Sequence, residues 1–254
     1  MATPRIIRLG ILVPSSNTAL EPLTFSMIND INIALSTSTN PVKITVHFSR
    51  FPVTKISLDP SGLAQFDLPP ILAAATLLAH AQVDVIGWSG TSAGWLGFDR
   101  DELLCNEIEK ATGIKATSSI VGLNKALELW GVKKLALVTP YLDDVQEKII
   151  QNYKAIGVEI GSAEKHLRIE KNCDIAEVSE AVLDDSLEDV IGGNKVDAIT
   201  TFCTNLVAAR RVEHWEKRHH VPVFDTVTTV VWDMLKLCDF DTTKIKGWGL
   251  LFQR

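Results

Sequence analysis

The chain has 254 residues and carries 25 Lys+Arg against 31 Asp+Glu, a net charge of −6. At 46% hydrophobic and 22% charged residues, with 15 Gly and 10 Pro, the composition excludes a disordered chain, a collagen and a small disulfide scaffold. The acidic balance leaves no basic face for nucleic acid, and the length suits one large domain or two lobes.

Taken in chain order, strand-like and helix-like segments alternate. Met1-Ala2-Thr3-Pro4-Arg5 lacks the apolar stretch of a signal peptide and leads into an apolar strand over 5–13. Thr18-Ala19-Leu20-Glu21 has the form of a capping box, with Pro22 just inside, and predicts a helix start. A strand over 42–48 follows, then an apolar helix over 68–81 and a buried strand over 83–88. No apolar run approaches the roughly 20 residues of a membrane span. Asp99-Arg100-Asp101-Glu102 resembles another helix start, leading into 103–111. The rhythm continues with strand 114–117, helix 120–130, strand 134–138, helix 142–156 and strand 158–162. Helices across 175–191, strand 196–202, helix 206–218, strand 221–224 and helix 228–237 complete it. Such alternation predicts an α/β fold with parallel sheets covered on both faces, and in these sheets ligands bind beyond the carboxyl ends of the strands.

Two internal echoes sit at those ends. Val83-Asp84-Val85-Ile86-Gly87-Trp88-Ser89-Gly90-Thr91-Ser92 lies over Val196-Asp197-Ala198-Ile199-Thr200-Thr201-Phe202-Cys203-Thr204-Asn205. Val13-Pro14-Ser15 similarly lies over Thr139-Pro140-Tyr141. Their common order predicts two pseudo-symmetric, Rossmann-like lobes facing one cleft: residues 1–117 plus 225–254 in the first, 118–224 in the second. Gly90 and Cys203 are then equivalent positions, each before a turn into a helix. Unpaired backbone N–H groups there make a carboxylate cradle, and a helix N-terminus at Cys203 would favour its thiolate. Thr91, Ser92, Thr204 and Asn205 add neutral donors, as do Pro14-Ser15-Ser16-Asn17 and Tyr141 at other strand ends. One thiol among neutral donors suits an enediolate, formed when a proton or CO2 leaves the carbon beside a carboxylate: the donors hold the oxygens and the thiol exchanges a proton with carbon.

Leu9-Gly10-Ile11-Leu12-Val13-Pro14-Ser15-Ser16-Asn17-Thr18, with Cys203-Thr204-Asn205-Leu206 and Val221-Pro222-Val223, resembles the aspartate/glutamate racemase superfamily, and within it the maleate cis–trans isomerases and arylmalonate decarboxylases. The resemblance spans nearly the whole chain. It implies catalysis without a cofactor on small mono- or dicarboxylates. Racemases and isomerases of this superfamily carry a cysteine in each lobe, and in the isomerases the first-lobe thiol is thought to attack the double bond. Here that position is Gly90, as in the decarboxylases. The resemblance therefore implies Cys203 as the catalytic proton donor. It implies Thr91, Ser92, Tyr141 and the Thr204-Asn205 turn around the reacting carboxylate, Asn17 on a carboxylate, and Asn172 near the substrate with Pro14, Ser15 and Gly90. The CTN sequence replaces the Gly-rich turn of the decarboxylases, so the pattern is a hybrid.

The expected activity is decarboxylation of a 2-substituted malonate-like diacid; isomerisation or racemisation is the alternative, and a non-catalytic carboxylate-binding protein a third. Cys203 could also be a buried structural thiol, and Asn17 a helix cap. Cys105, Cys173 and Cys238 read as bystanders. His219-His220 at a helix end suits the dipole rather than a metal, and no metal site or cofactor is expected. Trp88, Trp95 and Phe98 read as core or pocket wall; Trp95 and Phe98, if in the cleft, favour an apolar substituent. Scattered cysteines predict reduced thiols and a cytoplasmic setting without nucleic-acid or membrane partners. Homo-oligomer formation stays open.

Overall fold

The computed structural model describes residues 4–36 and 41–254. Eight strands among them form two four-stranded sheets. The first contains β1 (Arg5–Pro14), β2 (Val42–Phe51), β3 (Val85–Trp88) and β4 (Ala116–Ser118), ordered β2-β1-β3-β4. The second contains β5 (Leu135–Thr139), β6 (Glu164–His166), β7 (Ala198–Thr201) and β8 (Val223–Asp225), ordered β6-β5-β7-β8. Every pairing within the two sheets is parallel. The chain is thus an α/β protein with two parallel sheets of the same strand order, and β3, β5, β7 and β8 are buried along their whole length. Both sequence echoes have a structural counterpart. The first lays Val85–Trp88 on Ala198–Thr201, the observed bounds of β3 and β7. The second lays Leu9 on Leu135, and these pair with Val85 and Ala198, which the first echo also matches.

The helices are α1 (Leu20–Leu35), α2 (Pro60–Ala64), α3 (Leu68–His80), α4 (Ala93–Leu96), α5 (Phe98–Thr112), α6 (Ser119–Trp130), α7 (Asp143–Ala155), α8 (Asn172–Ile175), α9 (Glu180–Ile191), α10 (Val212–His219) and α11 (Thr226–Leu237). Helix α11 runs back from the end of β8 onto α6 and the first sheet. Ser119 and Thr229 tie it there: Ser119 Oγ donates to Thr226 O at 2.7 Å and Thr229 Oγ1 to Ser119 O at 2.8 Å. The contact is close enough to require Gly122, where a Cβ would stand 2.4 Å from Thr229 O.

Four local expectations differ from the structure. Thr18 does not cap α1; the Asn17 side chain accepts from Ala19 N and Leu20 N instead, at 3.1 and 2.9 Å. The segment over 158–162 makes only a single bridge, Lys134 to Glu159, and the edge strand is Glu164–His166. Gly157 and Gly161, both at positive φ, turn the chain before it can extend. The helix expected over 206–218 begins only at Val212, after a 3-10 turn over Ala209–Arg211. Finally, Pro60–His80 as a whole reaches the length and apolarity of a membrane span. It is broken between α2 and α3 at residues 65–67, and α3 buries Ile71, Ala74, Ala75 and Leu78 against the sheet. That i, i+3, i+4, i+7 spacing is the pattern of a helix packed on one face, and the opposite face leaves Leu77 exposed.

Candidate active site

The carboxyl ends of the two sheets converge on one small cavity. From the first sheet come Pro14, Asn17, Trp88, Gly90, Thr91 and Ser92; from the second come Tyr141, Asn172, Cys203 and Thr204. The sequence echo thus brings Gly90 and Cys203 to the same hollow. The β2–α3 connection adds Val53, Ile56 and Phe66, and Trp95 of α4 completes the wall. None of these side chains is charged. The cavity measures about 20 Å3, room for roughly one water. Its polar residues Asn17, Thr91, Ser92, Tyr141, Asn172, Cys203 and Thr204 are all 5% exposed or less.

Local geometry gives each polar group a direction. Asn17 spends its Oδ1 on the start of α1 and donates Nδ2 to Thr204 Oγ1 at 3.1 Å, which leaves one Nδ2 hydrogen uncommitted. Asn17 therefore both caps α1 and lines the cavity. Thr204 Oγ1 in turn donates to Ser89 O at 3.3 Å, so the two sheets are stitched beside the cavity. Asn172 donates Nδ2 to Ser16 Oγ at 2.8 Å. Thr91 Oγ1 and the Tyr141 hydroxyl are 2.6 Å apart, and Trp95 packs edge-on against the Tyr141 ring at 5.1 Å. The backbone N–H groups of Gly90, Thr91 and Ser92 find no acceptor among the described residues, nor do those of Cys203 and Thr204. Together these groups form a neutral donor cradle of the kind that stabilises a developing oxyanion.

Two expected site residues stand behind the wall. Asn205 is fully buried and spends its amide on backbone: Oδ1 accepts from Thr18 N and Ala19 N at 3.0 and 3.2 Å, and Nδ2 donates to Asn172 O at 2.5 Å. Ser15 exchanges hydrogen bonds with Val53 through its Oγ. Of the aromatic residues read as wall, Trp88 and Trp95 face the cavity, whereas Phe98 stacks on Tyr153 at 5.0 Å, away from it. Val53, Ile56 and Phe66 carry no motif in the sequence; only their place on the β2–α3 connection brings them here.

The thiol is not at a helix N-terminus, because the chain after Cys203 makes turns before α10. Burial pushes the Cys203 pKa up to about 11, although the Tyr141 hydroxyl and the Asn205 and Leu206 N–H groups favour its thiolate and pull the other way. Asn205 N approaches Cys203 Sγ at 3.4 Å. Burial therefore favours the thiol over the thiolate near neutral pH. Burial also holds Tyr141 well above its usual range, next to the negative charge a Cys203 thiolate would carry. Behind Cys203, Asp225 caps α11 through Val227 N and accepts Thr201 Oγ1 at 2.7 Å; its burial raises its pKa to about 7. Cys105 and Cys238 are buried elsewhere and Cys173 is exposed on α8; none lines the cavity. Among the described residues no cluster of His, Cys, Asp and Glu could hold a metal ion.

Comparison with known proteins places this geometry among relatives. The chain is 24% identical to the maleate isomerase of Pseudomonas putida over 97% of both chains. It is 26% identical to the arylmalonate decarboxylase of Bordetella bronchiseptica over 66% of this chain and 70% of that one. Its fold matches the crystal structure of a maleate isomerase variant from Pseudomonas putida S16 with maleate, at a TM-score of 0.85, 23% identity and 98% coverage of each chain. It also matches a Nocardia farcinica maleate cis–trans isomerase, in a cysteine-to-serine variant with a covalently bound succinylcysteine intermediate, at a TM-score of 0.80 and 21% identity over 97% of this chain and 98% of that one. The family model for arylmalonate decarboxylase matches residues 53–252, most of the chain including Gly90 and Cys203, and the protein belongs to that family.

Proposed function

We propose that this enzyme acts on a small dicarboxylate, without a cofactor, through an enediolate that Cys203 protonates, and that its reaction is decarboxylation of a 2-substituted malonate. In that reaction the bond from the α-carbon to one carboxylate breaks and CO2 leaves. The electron pair moves onto the remaining carboxylate as an enediolate. Cys203 Sγ then gives its proton to the α-carbon, and the thiolate recovers a proton from solvent. The uncommitted N–H groups of residues 90–92, 203 and 204 and the Thr91–Tyr141 hydroxyls supply donors where the oxyanion charge grows. Asn17 and Asn172 offer amide donors to a second carboxylate. The observation that carries the reading is a single buried thiol in an uncharged cavity with glycine at the equivalent position in the other sheet.

Cis–trans isomerisation is the second reading, and the names of the relatives favour it. Three curated relatives that match 92–97% of this chain are called maleate isomerase. The Nocardia farcinica isomerase forms a succinylcysteine although one cysteine has been replaced by serine, so its covalent chemistry uses another thiol. Here Cys203 is the only thiol at the cavity, and addition to the double bond would need it as a thiolate.

Incubation with methyl- and phenylmalonate and with maleate, followed by CO2 release and by proton NMR, separates the two. Decarboxylation predicts CO2 from the malonates and no fumarate from maleate, with CO2 release lost in Cys203→Ala. Fumarate formation without CO2 would replace the decarboxylase with an isomerase.

A further inference from the structure

Two matched pairs of positions at the strand ends differ between the sheets in a way that shapes the cavity. The echo that lays Gly90 on Cys203 also lays Trp88 on Thr201, each the last residue of its strand. In the second sheet the strand ends in a small side chain, whose Oγ1 turns to Asp225 Oδ2 at 2.7 Å, and a thiol fits two residues later. In the first sheet the strand ends in an indole. A Cβ placed on Gly90 would stand 2.1, 2.4 and 2.6 Å from Cζ2, Cε2 and Cη2 of Trp88. Those are ring atoms of a buried indole: Trp88 is 1% exposed and packs on Phe51, at the end of β2, with centroids 4.9 Å apart.

The ring also stands between two spaces. Beyond the cavity lies a hollow of about 670 Å3, walled by α2, α3 and α5. Trp88, Phe66 and Ser92 line both spaces. The partition between a cavity with room for roughly one water and a much larger, solvent-open hollow, whose wall also carries Asp67, Arg100 and Asp101, is therefore partly this indole.

We propose that Trp88 is the specificity-determining residue of this site. It excludes any side chain at position 90, so that proton transfer is confined to the Cys203 face, and it closes the site toward the hollow, so that only a small substituent fits on that side. Glycine at 90 is then a consequence of Trp88. A thiol at 90 becomes compatible with the fold only when the indole is removed. The first half of the proposal is independent of the reaction; the second rests on the function proposed above.

A double-mutant cycle tests the first half without any assay of activity. Gly90→Ala is expected to lower the Tm markedly with Trp88 in place and to be nearly neutral in a Trp88→Thr background, which copies the matched position of the second sheet. Equal losses in both backgrounds, or a tolerated Gly90→Ala with Trp88 intact, would overturn it. For the second half, Trp88→Leu is expected to raise kcat/KM for a bulky 2-substituted diacid relative to its methyl analogue by at least about tenfold, a shift of roughly 1.4 kcal/mol in relative barrier. An unchanged ratio, with activity retained on the methyl analogue, would overturn that half. If neither variant nor wild type turns over any diacid, the reaction assignment fails while the cycle still decides the Trp88–Gly90 interlock. The combination Trp88→Thr with Gly90→Cys adds a direct reading of the excluded face. One thiolate removes the α-proton of the monoacid product, the electron pair enters the carboxylate, and the opposite thiol returns a proton. Racemisation of an enantiopure monoacid product, with deuterium from D2O entering the inverted enantiomer, should then appear in the double variant and not in Gly90→Cys alone.

Discussion

Cys203 sits deep enough that its environment sets its chemistry. Burial raises its pKa to about 11, so the acid form required for protonating carbon persists across the neutral range. For a catalytic acid the active form lies below the pKa; kcat/KM is therefore expected to stay level from about pH 6 to about pH 9 and to fall as the pH approaches that value. A profile that instead rises through this interval would mark the thiolate as the active species. Tyr141 is the donor most tightly held: its hydroxyl lies 2.6 Å from Thr91 Oγ1 and its ring packs on Trp95. Tyr141→Phe keeps the ring and removes one oxyanion donor, so steady-state kinetics should show kcat lowered by about 10²-fold with little change in Tm.

At the scale of elements, the site depends on brackets that join loops rather than on the loops themselves. Asn205 holds the start of α1 through Thr18 N and Ala19 N and the start of α8 through Asn172 O. Asn205→Ala would take the partner from Thr18 N and Asn172 O, while Ala19 N keeps Asn17 Oδ1, at a cost of about 1–2 kcal/mol, and denaturant unfolding should register the loss alongside reduced activity. Arg50 of β2 acts from the outer side: one guanidinium nitrogen donates to Ser15 O and Asn17 O at 2.9 and 3.0 Å, while Nε meets Glu21 Oε1 at 3.0 Å. Since Arg50 touches Asn17 only through the backbone, Arg50→Met should raise KM several-fold and leave kcat and its pH profile nearly unchanged. An equal loss in both parameters would show the residue doing more than positioning the loop.

Over the whole molecule, three buried carboxyl groups set the pH dependence of stability. Desolvation raises Asp101 and Asp225 from 3.8 to about 7, and Glu216 from 4.5 to about 7. Between the unfolded and folded values the folded chain binds more protons than the unfolded chain, so stability falls as pH rises through this window and levels off above it. Surface carboxylates such as Asp197 and Asp241, whose pKa values are lowered, act the other way and lose their contribution in acid. Thermal unfolding is therefore expected to give a higher Tm near pH 5 than near pH 8, each kcal/mol being worth roughly 2–4 °C in a chain of this size. Asp101 Oδ2 has no hydrogen-bond partner among the described residues, so Asp101→Asn should flatten this slope by removing one of the three titrations.

The sequence by itself determined the alternation of strands and helices, the repeat that matches β3 with β7, and the thiol and donors at the strand ends. These are legible because parallel strands buried on both faces must be continuously apolar and because their carboxyl ends carry the ligand-binding turns. Local signals failed where tertiary contacts compete with them. Asn205 spends its amide on the backbone of distant segments although it neighbours residues that line the cavity, whereas at α1 one local cap, Asn17, takes the place of another, Thr18. Only the folded chain brings Val53, Ile56 and Phe66 over the cavity, withdraws Cys203 from water and lays the Trp88 ring on Gly90. Each of these depends on atoms distant in the chain sharing one small volume, and a periodic pattern of apolar residues carries no information about that volume.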